Sequence, residues 1–249
     1  PDSIYNVPVI SKYADYHVSC YGDSNGYIRS QIRGGLSPYQ YEWFKNTTFL
    51  SSSQDIVNVG AGNYNLVVTD RNGCKKSWNY TLVEPPIMRA ELFANSPSCA
   101  GMSDGRVGVR TITGGVAPYK YMWNTTSQQH EDTVMGVPKG TYTVTIMDSL
   151  NCSITRTITV TEPSKLEVAI DFDTLYHGSP ISCFNASDAR IKATAKGGTQ
   201  PYAYSWQEIN TGRSNYPTTE VLTALGVGRY KVQVVDKNNC IAESPLLTI

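Results

Sequence analysis

Six cysteines carry most of the chemistry open to this 249-residue chain. They fall in pairs, Cys20 and Cys74, Cys99 and Cys152, Cys183 and Cys240, separated by 54, 53 and 57 residues. A thiolate can attack a substrate, hold zinc or oxidise. Nucleophilic catalysis needs a histidine set beside the thiol, and His17, His130 and His177 stand at unrelated distances from the cysteines. Zinc fails for the same reason, and because there is no Cys-x-x-Cys. An even number at regular spacing argues for disulfides formed in an oxidising compartment. Calcium is the one metal whose ligands are represented. Asp23, Asn25 and Asp104 place hard oxygens in turns just ahead of strands, with Asp70, Asn72, Glu84 and Glu162 as further donors. The plainer reading is that these residues build turns. No other cofactor is expected, and nothing marks the chain as an enzyme.

The cysteines belong to a motif that occurs three times. The first copy runs Cys20, Gly22, Gly26, Gly34-Gly35, Pro38-Tyr39, Tyr41, Trp43, Gly62, Tyr64, Asp70, Cys74, Glu84-Pro85. The second runs Cys99, Gly101, Gly105, Gly114-Gly115, Pro118-Tyr119, Tyr121, Trp123, Gly140, Tyr142, Asp148, Cys152, Glu162-Pro163. The third runs Cys183, Gly197-Gly198, Pro201-Tyr202, Tyr204, Trp206, Gly228, Tyr230, Asp236, Cys240. So long an ordered match marks internal repetition. Tyr39 to Trp43 and Tyr64 to Asp70 alternate with period two, as half-buried strands do. The Gly-Gly steps and the Asn72-Gly73 pair supply turns, and no segment reads as an amphipathic helix.

Six or seven short strands in about 80 residues point to a two-sheet sandwich. The fold class is therefore all-β: three tandem antiparallel immunoglobulin-like repeats forming a semi-rigid rod, over residues 1–84, 85–162 and 163–249. Trp43, Trp123 and Trp206 are expected in the cores, with a sugar-stacking surface as the rival role. Strand counting also suggests the pairing of the cysteines. Four strands are expected between the two cysteines of one copy. An even number of antiparallel crossings returns the chain to its starting end, so Cys20–Cys74, Cys99–Cys152 and Cys183–Cys240 are the expected bonds.

The string Cys-x-Gly, Gly-Gly-x-x-Pro-Tyr-x-Tyr-x-Trp, Gly-x-Tyr-x-Val-x-Val-x-Asp-x-x-x-Cys and Glu-Pro resembles the SprB repeat. The third copy departs at Asn185, where the others have glycine, and at Asn239, where the first has Gly73. The resemblance implies part of a very large bacterial surface adhesin, exported by type IX secretion and used in gliding motility. It implies polysaccharide or solid surfaces as partners, with motility or secretion machinery engaged through other parts of the protein. The implied location is the cell surface, associated with the outer membrane. The alternatives are a passive stalk that holds a distant adhesive domain, and a glycan-binding accessory module of a secreted enzyme.

Asp-Ser/Thr-aliphatic triplets resemble the O-glycosylation sites of Bacteroidota surface proteins, with Ser3, Thr133, Ser149 and Thr174 as acceptors. Lysine plus arginine balances aspartate plus glutamate at 21 each, so no basic patch invites nucleic acid or anionic lipid. No apolar run is long enough to span a bilayer. The chain opens on Pro1 without methionine or signal peptide, as an excised segment of a longer protein would.

Overall fold

The computed structural model describes residues 3–125 and 130–249, and every regular element among them is a strand. The first repeat supplies β1 (Tyr5–Asn6), β2 (Val9–Ile10), β3 (Gly26–Arg29), β4 (Ile32–Arg33), β5 (Gln40–Lys45), β6 (Thr48–Ser51), β7 (Ile56–Val59), β8 (Gly62–Thr69) and β9 (Lys75–Leu82). The second supplies β10 (Arg89–Asn95), β11 (Gly105–Thr113), β12 (Lys120–Trp123), β13 (Thr133–Val137), β14 (Gly140–Met147) and β15 (Ser153–Val160). The third supplies β16 (Glu167–Phe172), β17 (Ala189–Lys196), β18 (Ala203–Glu208), β19 (Val221–Leu225), β20 (Arg229–Val235), β21 (Ile241–Glu243) and β22 (Leu247–Thr248).

Each repeat pairs one small sheet with another. The orders are β2-β3-β7 and β6-β5-β8-β9 in the first, β10-β11-β13 and β12-β14-β15 in the second, and β16-β17-β19 and β18-β20-β21 in the third. The strands of these sheets pair antiparallel, as in Gln40↔Thr69 through Lys45↔Tyr64. Alternation fills the cores. On β8, Tyr64, Leu66 and Val68 point inward and join Ile28, Trp43, Ile56 and Leu82. On β20, Tyr230, Val232 and Val234 join Ile191, Trp206 and Leu222. Trp43, Trp123 and Trp206 are almost wholly buried, and each indole N–H donates to a backbone oxygen, of Gln54, Glu131 and Thr219. They are core anchors, and no sugar can reach them.

By packing, the chain divides into two compact units. One comprises Pro1–Leu92, Val109–Asp132 and Thr143–Thr157, the other Phe93–Gly108, Thr133–Tyr142 and Ile158–Ile249. The division runs through the middle repeat. Val109–Asp132 and Thr143–Thr157 group with the first repeat, and Phe93–Gly108 and Thr133–Tyr142 with the third.

The crossing count differs from the expected one. Between Cys20 and Cys74 the chain makes five crossings, on β3 with β4 as its continuation, then β5, β6, β7 and β8, and five is odd. The extra crossing is β6, a hairpin partner of β5 with Lys45↔Thr48 and Trp43↔Ser51. In the third repeat, residues 209–220 make the same return, from Glu208 beside Tyr230 to Val221 beside Lys192. An odd count carries the second cysteine to the opposite end of its sandwich, a strand length from the first.

Candidate functional site

The disulfides therefore join different repeats, which corrects the expected pairing. Cys20 bonds Cys152 and Cys99 bonds Cys240, with Cα–Cα distances of 5.6 and 5.7 Å and sequence separations of 132 and 141. Cys74 and Cys183 are free and exposed. Neither Cys20–Cys74, Cys99–Cys152 nor Cys183–Cys240 forms. The rule is that the first cysteine of one repeat meets the second cysteine of the next.

Each half of this clamp is a small built turn. The half that carries the second cysteine is organised by a buried aspartate. The Asp148 carboxylate accepts the N–H groups of Cys152 and Leu150 on one oxygen, each at 2.9 Å, and that of Val116 on the other at 2.9 Å. Asp236 accepts from Cys240, Asn238 and Thr199, and Asp70 from Cys74, Asn72 and Leu36. One side chain thus ties the cysteine turn to the loop that follows Gly-Gly. Burial works to raise the pKa of Asp70 and Asp236, but their backbone hydrogen bonds outweigh it and hold both below the usual carboxylate range. Glycine is required beside this carboxylate. Gly115 has φ +65°, and a Cβ there would lie 3.1 Å from the Asp148 carboxylate.

The other half is a Ser-Cys turn, present as Ser19-Cys20, Ser98-Cys99 and Ser182-Cys183. Its serine N–H donates to Asn25, Asp104 and Asp188 respectively, at 3.1, 2.9 and 3.2 Å. Asp104 and Asp188 are held below the usual carboxylate range by these serines. The glutamate of Glu-Pro closes the turn from its far side: Gly22 N–H donates to Glu84 at 2.7 Å and Gly101 N–H to Glu162 at 2.8 Å. Lys139 pairs with Glu162 and lowers its pKa further. Gly22 and Gly101 have φ +78° and +79°, and in the third repeat Asn185 takes φ +62°, so that departure from the motif keeps the turn. In the bonded clamps, Cys152 Sγ lies 3.2 Å from Ser19 O, and Cys240 Sγ lies 3.4 Å from Ser98 O. Asn238 Nδ2 also donates to Ser98 O at 3.2 Å.

The candidate calcium ligands are thus occupied with the turn. Asn25 and Asp104 accept from serine N–H groups, and Asp23 accepts the Ser19 hydroxyl at 2.6 Å. Among the described residues, no group of three or more His, Cys, Asp or Glu side chains is placed to hold a metal. Of the glycosylation candidates, Ser3 and Thr174 lie exposed outside strands, although Asp2 of the first triplet is outside the described residues. Ser149 is exposed in the cysteine turn and its hydroxyl donates to Val116 O at 2.8 Å. Thr133 opens β13 and is half-buried. The motif tyrosines also serve the fold. Tyr39, Tyr119 and Tyr202 donate to Gly34, Gly114 and Gly197, and Tyr64, Tyr142 and Tyr230 to Gly60, Pro138 and Gly226.

Sequence reasoning found the aspartates and the cysteines as parts of a motif, but missed the serine before each first cysteine and did not read the two turns as faces of one clamp. The signal was present: each invariably accompanies one of the two cysteines within the chain.

No curated protein matches the chain. Among solved structures, the mouse nectin-like molecule 4 ectodomain is 10% identical, with 98% of this chain and 93% of that one covered and a TM-score of 0.34. A structure described as the basis for Dscam isoform specificity is 14% identical, with 91% and 69% covered and a TM-score of 0.29. A tetra-tandem repeat from the extending region of a large adhesion protein is 12% identical, with 98% and 74% covered and a TM-score of 0.29. The SprB repeat family matches at residues 17–48, 93–128 and 178–211. Each matched segment holds one Ser-Cys turn and one Gly-Gly-x-x-Pro-Tyr-x-Tyr-x-Trp string. The chain carries three tandem repeats of the SprB family.

Proposed function

We propose that this segment is a non-catalytic, load-bearing part of a large cell-surface adhesin that serves gliding motility and attachment to surfaces or polysaccharides. The carrying observation is the staggered pairing of cysteines between consecutive repeats. The shortest covalent path from Pro1 to Ile249 runs to Cys20, crosses to Cys152, returns to Cys99, crosses to Cys240 and leaves. Both Glu-Pro junctions, at Glu84 and Glu162, lie off that path. Tension that outlasts the noncovalent contacts passes through disulfides and through the body of the middle repeat, not through the junction segments. A stalk built this way resists elongation without needing a stiff linker. Disulfides fit an extracellular site, and the SprB family supports the cell surface. Outer-membrane association and type IX export belong to this proposal.

Pulling single molecules from both ends tests it. The oxidised chain should reach only about a third of the final extension of the reduced chain, at about 3.5 Å per extended residue. Equal extensions would remove the basis for the load-bearing role.

A second reading, direct grip on a glycan, has one observation in its favour. Phe44 and the exposed Phe49 stand edge to face, 6.0 Å apart, on the β5–β6 hairpin. The second and third repeats carry Asn124 and Gln207 at the Phe44 position, so this pair is not a repeated feature. Binding of the segment to a polysaccharide panel that is lost in Phe49→Ala would establish it.

A further inference from the structure

The two unbonded cysteines sit in turns that are already built. Cys74 has the same aspartate-held turn as Cys152 and Cys240: its N–H donates to Asp70 at 2.9 Å, and Asp70 N–H returns to Cys74 O at 3.0 Å. Cys183 has the same Ser-Cys turn as Cys20 and Cys99, with Ala186 N–H on Cys183 O at 3.0 Å and Ser182 N–H on Asp188. Beside each second cysteine lies a cleft. At Cys152 it is lined by Met88, Gly115 and Asp148, and Cys20, Tyr21 and Asp23 of the preceding repeat are seated against it. At Cys74 the corresponding cleft is lined by Ile4, Gly35 and Asp70, and among the described residues no Ser-Cys turn is seated against it. The Ser-Cys turn of the third repeat has the complementary vacancy. Phe184, directly after Cys183, is 93% exposed, whereas its counterpart Tyr21 borders the Cys152 cleft.

We propose that the cleft beside Cys74 is a docking site for the Ser-Cys turn of another SprB repeat, closed by a disulfide, and that Ser182-Cys183 is such a turn. A second copy of this chain supplies both halves, so copies join head to tail through Cys183 and Cys74. The bond forms by thiol–disulfide exchange with a small-molecule disulfide. The Cys183 thiolate displaces one thiol from oxidised glutathione, and the Cys74 thiolate then displaces the second. Each new protein disulfide leaves two glutathione thiols and releases no net electrons. The partner is selected by shape and hydrogen bonding: a turn that presents a serine carbonyl to the incoming sulfur, as Ser19 and Ser98 do, and a residue after cysteine that covers the cleft.

The test uses the whole chain with its two internal disulfides formed, incubated with oxidised glutathione. Wild type should give a ladder of disulfide-linked oligomers on a non-reducing gel, and peptide mass spectrometry should find Cys74 linked to Cys183. Cys74→Ser and Cys183→Ser should each stay monomeric alone, and their mixture should give a dimer and nothing larger. Phe184→Ser should lower the yield of that dimer several-fold. Both cysteines are exposed, so neither substitution disturbs a core; unchanged thermal unfolding verifies this. Homodimers of Cys74→Ser formed as readily as the mixed dimer would show undirected oxidation and overturn the proposal. So would a mixture that stays monomeric. Neither result bears on whether the protein is an adhesin, which pulling and surface binding test separately.

Discussion

The Cys152 turn and the Cys74 turn are nearly the same object in two conditions. Both hang from a buried aspartate, both follow a strand of the Gly-x-Tyr type, and both face a loop that begins with two left-handed glycines. One is oxidised and the other is a free thiol. What differs is the neighbour. A preceding repeat places Ser19-Cys20 against the first turn, and among the described residues no such turn is placed against the second. Disulfide formation in this protein is thus a property of the junction, while the repeat body supplies only the prepared halves.

Substitution of the cysteines should expose that contrast most strongly. Replacing Cys20 and Cys152 together by serine opens a loop of 132 residues. The chain-entropy model assigns such a loop about 5 kcal/mol. Cys74→Ser should change stability by less than about 0.5 kcal/mol, as exposed substitutions do. Chemical denaturation of both variants makes the comparison, and equal losses would break it.

The repeat body should respond next. Trp43→Ala empties a fully buried indole site and is expected to cost about 3–5 kcal/mol, whereas Trp43→Phe should lose about 1 kcal/mol with the N–H bond to Gln54. Thermal unfolding followed by tryptophan fluorescence reads both. A smaller effect is expected at the paired glycines. Gly35→Ala and Gly115→Ala both force a side chain into φ near +65° to +70°. Each should cost about 1–3 kcal/mol, with Gly35 the more sensitive because a Cβ there would lie 2.8 Å from Ile4. Denaturant titrations check this, and a loss in only one of the two variants would show that the turns are not built alike.

Acid should give the mildest response. Asp70 and Asp236 are more acidic in the folded chain than in the unfolded one. Their stabilisation is therefore complete at neutral pH and is lost as pH falls through the folded-state value, below the usual carboxylate range. The melting temperature should decline on acidification toward pH 3, and Asp70→Asn should flatten that decline while lowering the starting value.

The strands, the three tryptophan cores and the repeat itself were legible because each leaves a periodic trace. Tyr64, Leu66 and Val68 alternate inward on β8 as their sequence pattern indicates. The hairpin strand β6 was not legible. Its residues Thr48, Phe49 and Leu50 are all exposed and only Ser51 is partly covered, so no buried face imposes a period. In the first repeat that one strand of four residues changed the parity of the crossings, and with it the expected Cys20–Cys74 pairing. Tandem copies add a second difficulty. A cysteine pair within a repeat and a pair between successive repeats draw on the same six regularly repeated cysteines, so sequence alone does not distinguish them. The candidate calcium ligands were legible as turn residues, but not as holders of the Ser-Cys backbone, because the hydrogen bonds of Asn25 and Asp104 run back to a serine six residues earlier.

The central claim is that oxidation couples successive repeats. Mass spectrometry of peptides released under non-reducing conditions, from protein purified with its disulfides intact, tests it most directly. The account predicts one peptide pair joining Cys20 to Cys152 and another joining Cys99 to Cys240. Peptides joining Cys20 to Cys74, or Cys99 to Cys152, would contradict it.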